Sequence, residues 1–167
     1  MIESRILQAQ FPNDGVLEWI GIRPARHAPM EERESLEAIA DKGLAGDRTA
    51  AGRGGGKRQV TFIQAEHLPI IAALLKRDEL DPMILRRNIV VSGINLTALR
   101  GRRFQIGEAI FLGTGPCAPC SKMEEDLGTG GYNAMRGHGG LTAKVLRGGF
   151  LRRGDAVRAL PDESDSD

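Results

Sequence analysis

The chain has 167 residues, enough for one domain with a single continuous core. Hydrophobic residues make up 41% and charged residues 27%, and the formal net charge of +1 favours neither nucleic acid nor an anionic membrane as a partner. No apolar run approaches the roughly 20 residues that span a bilayer, and Met1–Gln10 lack the apolar run of a signal peptide. We therefore expect a cytoplasmic protein whose cysteines stay reduced and serve chemistry.

Short apolar runs bounded by turn residues predict a mainly β structure. Gly107-Glu108, which separates two of these runs, predicts a hairpin. The predicted strands are Val16–Ile22, Val60–Ile63, Asn88–Val91, Phe104–Ile106, Ala109–Leu112 and Ala143–Leu146.

One stretch has strong helical periodicity and is predicted to be the most regular helix, Gln64–Arg77. Within it Leu68, Ile71 and Leu75 recur at the three-to-four spacing that places them on one face. Pro69 fits only if it lies in the first turn, where its missing N–H costs nothing.

Two further segments bear on helix content. A short helix is predicted to begin at Asp81, an N-cap residue followed by Pro82. Glu31–Ala40 has a composition that favours helix, but Asp41-Lys42-Gly43 ends it early, so its assignment stays open.

The sum of these elements predicts a β-dominated single domain over residues 1–160. We expect a curled or barrel-like sheet with one helix packed on it. Residues 161–167 are acidic and contain no apolar residue, which predicts a disordered tail.

The two cysteines lie in a stiff loop, Gly113-Thr114-Gly115-Pro116-Cys117-Ala118-Pro119-Cys120. A thiolate is a useful ligand or nucleophile only when it is held in place and deprotonated, and two glycines and two prolines fix the path here. Cys117 and Cys120 are therefore the candidate catalytic residues. Neighbours in sequence that would favour a thiolate, if the fold brings them close, are Lys122, Arg136 and His138.

Other interpretations of the cysteine pair stay open. Both residues can be buried small hydrophobes, the usual state of free cysteine. Half a zinc site is another, but no second C-x-x-C completes it and His27, His67 and His138 lie far apart. A thioredoxin-like motif would need a βαβ context, and Pro116 precedes the first cysteine.

A glycine-rich basic segment, Gly52–Arg58, offers backbone amides and cations to a phosphate. It is not a P-loop, because the spacing is one residue short and Arg58 stands where Ser or Thr should bind magnesium. Lys57 and Arg58 are candidate phosphate contacts, and a flexible solvent-exposed loop is the alternative.

Three more polar segments have a structural and a functional interpretation. Arg86-Arg87-Asn88 precedes a predicted strand, where side chains can point at a ligand or simply complement a helix C-terminus. Gly43–Arg48 is predicted as a tight turn with an Asp–Arg pair, and its default role is structural. Gly137–Gly140 is predicted as a close backbone approach around a structural histidine.

The segment Pro119–Gly130 resembles the MOSC domain, the C-terminal module of molybdenum-cofactor sulfurases. That family places a cysteine six residues before an aspartate and nine before a Thr-Gly pair; Cys120, Asp126 and Thr129-Gly130 meet this spacing, whereas Cys117 does not. The resemblance runs from about Gly15 to Val157 and is closest to small stand-alone bacterial members. Other matching segments are Gly43–Arg48, Arg86–Gly93, Gly130–Met135 and Gly148–Val157.

The resemblance implies a β-barrel-like MOSC domain over residues 1–160 with a pocket for the pterin molybdenum cofactor, molybdopterin. It implies that the Cys120 sulfur is the molybdenum ligand and that Lys57 and Arg58 contact the cofactor phosphate. The other cofactor-binding residues that it implies are Arg86, Asn88, Asp126 and Thr129.

Two activities follow from the resemblance. One is reduction of N-hydroxylated small molecules, with electrons from a donor protein. The other is sulfur transfer, in which Cys120 carries a persulfide from a pyridoxal-phosphate-dependent cysteine desulfurase and Cys117 resolves it as a disulfide. A module in which the loop merely packs is the third hypothesis. The chain departs from many small members at Thr49, where they have histidine after the Gly-Asp-Arg turn.

Overall fold

The computed structural model describes residues 1–163; residues 164–167, the end of the predicted tail, lie outside the described residues. The strands are β1 Gly15–Ile22, β2 Glu31–Arg33, β3 Ser35–Ile39, β4 Gly43–Leu44, β5 Val60–Gln64, β6 Ile89–Ser92, β7 Arg103–Ile106, β8 Ala109–Pro116, β9 Leu141–Arg147, β10 Gly149–Arg152 and β11 Ala156–Ala159. The α-helices are α1 Ser4–Gln8, α2 Leu68–Leu74, α3 Pro82–Leu85, α4 Ser121–Leu127 and α5 Gly131–Met135, with 3₁₀ helices at Ala65–His67 and Leu96–Leu99.

Seven strands close into a barrel in the order β1-β11-β7-β8-β9-β5-β6. The closing pair is β1 with β11, in which Gly15 lies opposite Val157. All neighbours in the ring are antiparallel except β5 and β6, which run parallel. The predicted β-dominated, barrel-like fold is confirmed.

Alternating burial explains why the strands curl around one core. Along β8 every second residue is buried, as expected when one face of a strand points into a barrel. Phe62, Phe104 and Phe111 fill the interior with no exposed surface, and their ring centroids lie 5.4–5.5 Å apart. The hairpin predicted at Gly107-Glu108 joins β7 to β8 with Ile106 opposite Ala109.

The predicted helix over 64–77 is wrong in extent. Gln64 belongs to β5, because it pairs in register with Val91 of the parallel neighbour β6. A 3₁₀ turn follows, and the α-helix covers only Leu68–Leu74, with Pro69 in its first turn as the sequence requires. The helix α4 is equally long, so α2 is not the single most regular helix.

Glu31–Ala40 forms strands, although its composition favours helix. Leu36 and Ala38 are buried while their neighbours are exposed, a period of two that fits a strand. The strand β3 pairs with β10, placing Leu36 opposite Leu151, and also with β4 to make a separate three-stranded sheet. Tertiary pairing has therefore overridden local propensity.

A second apolar cluster lies outside the barrel and holds the helices against it. It contains Ile71 of α2, Leu85 of α3, Met123 and Leu127 of α4, and Met135 of α5. The short helix predicted at Asp81 is confirmed, since its Oδ1 accepts the Met83 amide at 2.9 Å. This cluster fixes α4, whose N-cap is Cys120, on the barrel.

The start of the predicted acidic tail contacts the barrel. Asp162 accepts a hydrogen bond from Arg102 at 3.0 Å, and the Pro161 carbonyl accepts one from Arg103. Among residues 1–163, no helix is long and apolar enough to cross a bilayer.

Candidate functional site: two pockets beside the cysteine segment

The cysteine segment begins as a strand rather than a loop. The strand β8 continues to Pro116, so the first half of the predicted loop Gly113–Cys120 is paired with β9, which corrects that prediction. The Cys117 amide then donates to the Gly140 carbonyl at 2.8 Å, and Cys120 stands at the N-cap position of α4. Cys117 is buried, whereas Cys120 is exposed.

The buried guanidinium of Arg87 holds this segment in place. It donates to the carbonyls of Leu85 at 2.9 Å, Gly139 at 2.9 Å and Cys117 at 3.3 Å. Gly139 is required here, because a Cβ at this position would collide with the Cys117 carbonyl oxygen. Burial lowers the pKa of Arg87, while the sulfur groups of Cys117 and Cys120 act in the opposite direction.

A cavity of about 270 Å³, which we name the arginine pocket, contains Cys120. Six arginines and one lysine contribute to its wall, and none of its described lining residues is acidic. It is lined by Arg23, Arg26, His27, Arg48, Arg58, Arg86, Arg87, Cys120, Ser121, Lys122 and Met123.

Most of this positive charge is uncompensated. Arg23 pairs with Asp47 at 3.1 Å and Lys122 pairs with Asp126 at 3.0 Å. The other exposed or half-buried arginines of the pocket form no ion pair within residues 1–163: Arg26, Arg48, Arg58 and Arg86. Such a concentration of cations attracts an anion.

The neighbouring cations also affect the pKa of Arg86. Burial lowers its pKa below the usual value, and the positive charges of Arg23 and Arg48 lower it further. Asp126 and Asp47 act in the opposite direction but do not reverse the shift. An anion bound among these side chains would relieve their mutual repulsion.

Asp47 organises the floor beneath the pocket. Its carboxylate accepts hydrogen bonds from the Arg23 side chain at 3.1 and 3.2 Å, the Thr49 amide at 3.1 Å and the Asn88 amide group at 3.0 Å. Burial would raise the pKa of Asp47, but the bonds and charge of Arg23 and the Thr49 amide lower it overall. The predicted pair within Gly43–Arg48 is wrong: Asp47 binds Arg23, and Arg48 lines the pocket.

The predicted site residues are only partly brought together. Arg58, Arg86 and Cys120 line the arginine pocket. Asn88 is fully buried, with its Oδ1 accepting from Thr61 and its Nδ2 donating to Gly21 and Asp47, so it supports the floor.

The other predicted cofactor residues lie outside the pocket wall. Lys57 is exposed, and its carbonyl accepts a hydrogen bond from Thr114. Asp126 holds Lys122, and Thr129 is exposed between α4 and α5. Of the three groups expected to favour a thiolate, only Lys122 shares a pocket with Cys120.

Three cations of the pocket were not predicted from the sequence: Arg23, Arg26 and Arg48. Arg23 and Arg26 follow directly on β1, and Arg48 ends the Gly-Asp-Arg turn. The basic cluster after a predicted strand was a usable pattern for the first two. For Arg48, no local pattern distinguishes a ligand-facing arginine from one that pairs with its neighbour.

A second cavity, of about 400 Å³, also borders the cysteine segment, and we name it the Tyr132 pocket. It contains Cys117 rather than Cys120, and Arg136 lines it as well. Its wall is formed by Gln64, His67, Leu96, Thr97, Pro116, Cys117, Ala118, Pro119, Tyr132, Arg136, Gly137, Gly139 and Gly140.

A histidine pair borders the Tyr132 pocket. The rings of His67 and His138 meet edge to face with centroids 5.1 Å apart. Burial lowers the pKa of His67, and His138 lowers it further, so His67 is neutral at pH 7. His138 Nδ1 is buried without a hydrogen-bond partner within residues 1–163.

Glu124 fixes the turn that carries Tyr132. Its carboxylate accepts the backbone amides of Gly130 at 2.7 Å and Tyr132 at 2.8 Å. These two bonds lower the pKa of Glu124. The backbone at Tyr132 is therefore held while its side chain is exposed.

Comparison with known proteins places this chain in a family. A family model described as the MOSC domain matches residues 49–158, more than half of the chain, and the chain therefore belongs to the MOSC domain family. Members of this family typically bind the molybdenum cofactor. The resemblance seen in the sequence is confirmed. No curated protein matches the chain.

Solved structures share the fold. The YuaD protein from Bacillus subtilis superposes with a TM-score of 0.75 at 21% identity, covering 90% of this chain and 98% of that one. YiiM from Escherichia coli gives 0.72 at 18% identity, covering 92% and 73%, and YiiM from Geobacillus stearothermophilus gives 0.69 at 15%, covering 88% and 75%. At these identities the likeness concerns the fold alone.

Proposed function

We propose that the protein binds the molybdenum cofactor in the arginine pocket, with the Cys120 sulfur as a metal ligand, and acts as an oxidoreductase on a small molecule. The observation that carries the proposal is that an exposed cysteine shares one cavity with six arginines and a lysine. The cations can bind the anionic groups of a ligand and the cysteine can bind its metal, so one cavity can hold both parts.

The residues present fit this cofactor. Its phosphate is doubly charged, and arginine forks bind phosphate through two parallel hydrogen bonds. Thiolate is a soft ligand suited to transition metals. The volume of 270 Å³ lies just below the roughly 300 Å³ at which small-molecule sites begin, so part of the ligand would remain exposed to a substrate or an electron donor.

Within this proposal each residue has a definite task. Arg58 and Arg86 would hold the phosphate, since neither is engaged in an ion pair within residues 1–163. Cys120 would be presented at the N-cap of α4, where its exposed sulfur can reach a metal in the pocket. When bound, the cofactor would supply a redox-active molybdenum, the centre needed to reduce an N-hydroxylated compound.

The exposure of Cys120 also favours a second candidate, sulfur transfer. The Cys120 thiolate would attack the terminal sulfur of a desulfurase persulfide, releasing the desulfurase thiolate and forming the Cys120 persulfide. Attack of Cys117 on the inner sulfur of that persulfide would release hydrosulfide and leave a disulfide. The burial of Cys117 disfavours its attack on the persulfide. The transfer of sulfur to Cys120 does not require Cys117.

The proposal is tested by metal and pterin analysis of protein purified from a host that makes the cofactor. The variant Arg58→Gln/Arg86→Gln removes two pocket cations, and Arg147→Gln/Arg152→Gln removes two exposed arginines that line neither pocket. We expect molybdenum near one per chain in the wild type and the control, and a loss of at least about tenfold in the pocket variant.

The opposing outcomes separate the two candidates. Cofactor-free wild-type protein with a persulfide on Cys120 would replace the first function with sulfur transfer. Equal molybdenum in the pocket variant and the control would show that the cofactor does not lie among these arginines. If the purified protein contains neither molybdenum nor a persulfide, both proposed functions are overturned.

A further inference from the structure

The Tyr132 pocket offers a ligand a largely apolar wall with a few polar side chains. Leu96, Pro116 and Pro119 supply apolar wall, and the Tyr132 ring is 42% exposed. A cavity of about 400 Å³ with this composition is within the usual range for a small-molecule site. An exposed tyrosine ring in the wall can stack on the face of a planar ring.

The charge in this pocket is of one sign. Arg136 is the single charged side chain among the described lining residues, and its guanidinium forms no hydrogen bond or ion pair within residues 1–163. Gln64, which also lines the pocket, is already engaged with Glu66 and with the Leu96 amide. A ligand therefore meets one free cation and no competing carboxylate in the wall.

Neutral hydrogen-bonding capacity lies beside this cation. His67 is uncharged at pH 7, so its ring both donates and accepts. No side-chain hydrogen bond engages it within residues 1–163, and its neighbour His138 has an unpartnered buried nitrogen. Of the two histidines, His67 lines the pocket, so a polar ligand there can hydrogen-bond its ring.

We propose that the Tyr132 pocket is a second binding site, separate from the arginine pocket, for a small planar aromatic carboxylate. The ring would lie against Tyr132 and the prolines, the carboxylate would pair with Arg136, and His67 would hydrogen-bond the ligand. The site does not depend on the molybdenum proposal, since none of these residues lines the arginine pocket.

The test is an amide NMR titration of the full chain with three matched probes: benzoate, neutral benzamide and cationic benzamidine. We expect saturable shifts at the amides of Gly137, Gly139 and Gly140, with benzoate binding about tenfold more tightly than benzamidine because of its charge-assisted hydrogen bonds. Arg136→Gln should remove the preference for benzoate, and Tyr132→Ala should weaken all three probes. Arg147→Gln, at an exposed position that lines neither pocket, should leave the shifts at these glycine amides unchanged.

Both Arg136 and Tyr132 are exposed, so these variants should keep the wild-type melting temperature, which is measured alongside. Benzamidine binding as well as benzoate would overturn the charge assignment. Absence of shifts at millimolar benzoate, or shifts confined to the arginine pocket, would overturn the site itself. Each of these outcomes is independent of whether the protein carries molybdenum.

Discussion

The Nη2 group of Arg87 donates to the carbonyl oxygen of Cys117 at 3.3 Å. Arg87 itself lines the arginine pocket, whereas Cys117 and the second acceptor, Gly139, line the Tyr132 pocket. One buried guanidinium therefore ties together the backbone that bounds both cavities. The position of Cys120, three residues after Cys117, depends on this tie.

Replacing Arg87 with lysine should loosen the cysteine segment while keeping the charge. Lysine cannot reproduce the planar fork, so at least one of the Cys117 and Gly139 carbonyls would lose its partner. We expect the free energy of unfolding, measured in urea, to fall by about 2–4 kcal/mol. Arg152→Lys, on an exposed side chain, should stay within about 0.5 kcal/mol of wild type. Equal stability of the two variants would refute the anchoring role.

The substitution Asp47→Asn should destabilise the floor of the arginine pocket. It leaves the buried Arg23 without its countercharge, and breaking a buried ion pair on one side costs about 3–5 kcal/mol. Asp78→Asn, at an exposed position, is the matched control. Equal unfolding free energies for Asp47→Asn and wild type at pH 7 would contradict the role of the pair.

The same variant should alter the pH dependence of stability. The pKa of Asp47 lies below its ordinary value of 3.8 in the folded protein, so the unfolded chain takes up the proton first as pH falls. The stabilisation is fully present above that ordinary value and is lost as pH drops through the lower folded pKa. We expect the stability gap between wild type and Asp47→Asn to narrow below about pH 4, as followed by urea titrations at successive pH values. A constant gap down to pH 2 would contradict this linkage.

Inorganic pyrophosphate should stabilise the protein by binding among the pocket arginines. A ligand at 100 times its Kd raises the free energy of unfolding by about 2.7 kcal/mol. For a domain of this size, that raises the melting temperature by roughly 5–10 °C. Sodium chloride at equal ionic strength controls for general screening. The shift should be largely absent in Arg58→Gln/Arg86→Gln, and an undiminished shift there would mean that pyrophosphate binds elsewhere.

Hydrophobic periodicity and turn residues were enough to predict much of the barrel from the sequence. The alternation in β8 and the hairpin at Gly107 are local patterns, and both appear in the structure. The limits of the helix near Gln64 could not be predicted, because its strand pairing with Val91 is made 27 residues later in the chain. The strand β3 was missed for a similar reason, since its composition favours helix while its partner β10 is distant in the chain. The strand β2 was missed because its composition favours helix, although its partner β1 is nearby in the chain.

The site was predictable where a family spacing exists and unpredictable where charges converge from separate elements. The spacing that selects Cys120 is carried by one segment. By contrast, Arg23 and Arg48 come to the pocket from separate segments; Asp47 pairs with the first, and the second forms no ion pair within residues 1–163. Asn88 was predicted to bind the cofactor, but its side-chain amide is already hydrogen-bonded to Thr61, Gly21 and Asp47.

The central claim is that Cys120, not Cys117, meets the metal, and molybdenum content in two cysteine variants tests it most directly. Both proteins are purified from a host that makes the cofactor and compared with wild type by metal analysis and thermal melting. Serine is not ionised at neutral pH and lacks the soft sulfur donor, so Cys120→Ser should lose its molybdenum while remaining folded. Cys117→Ser should retain it. Full molybdenum in Cys120→Ser, together with its loss in a folded Cys117→Ser, would contradict the assignment.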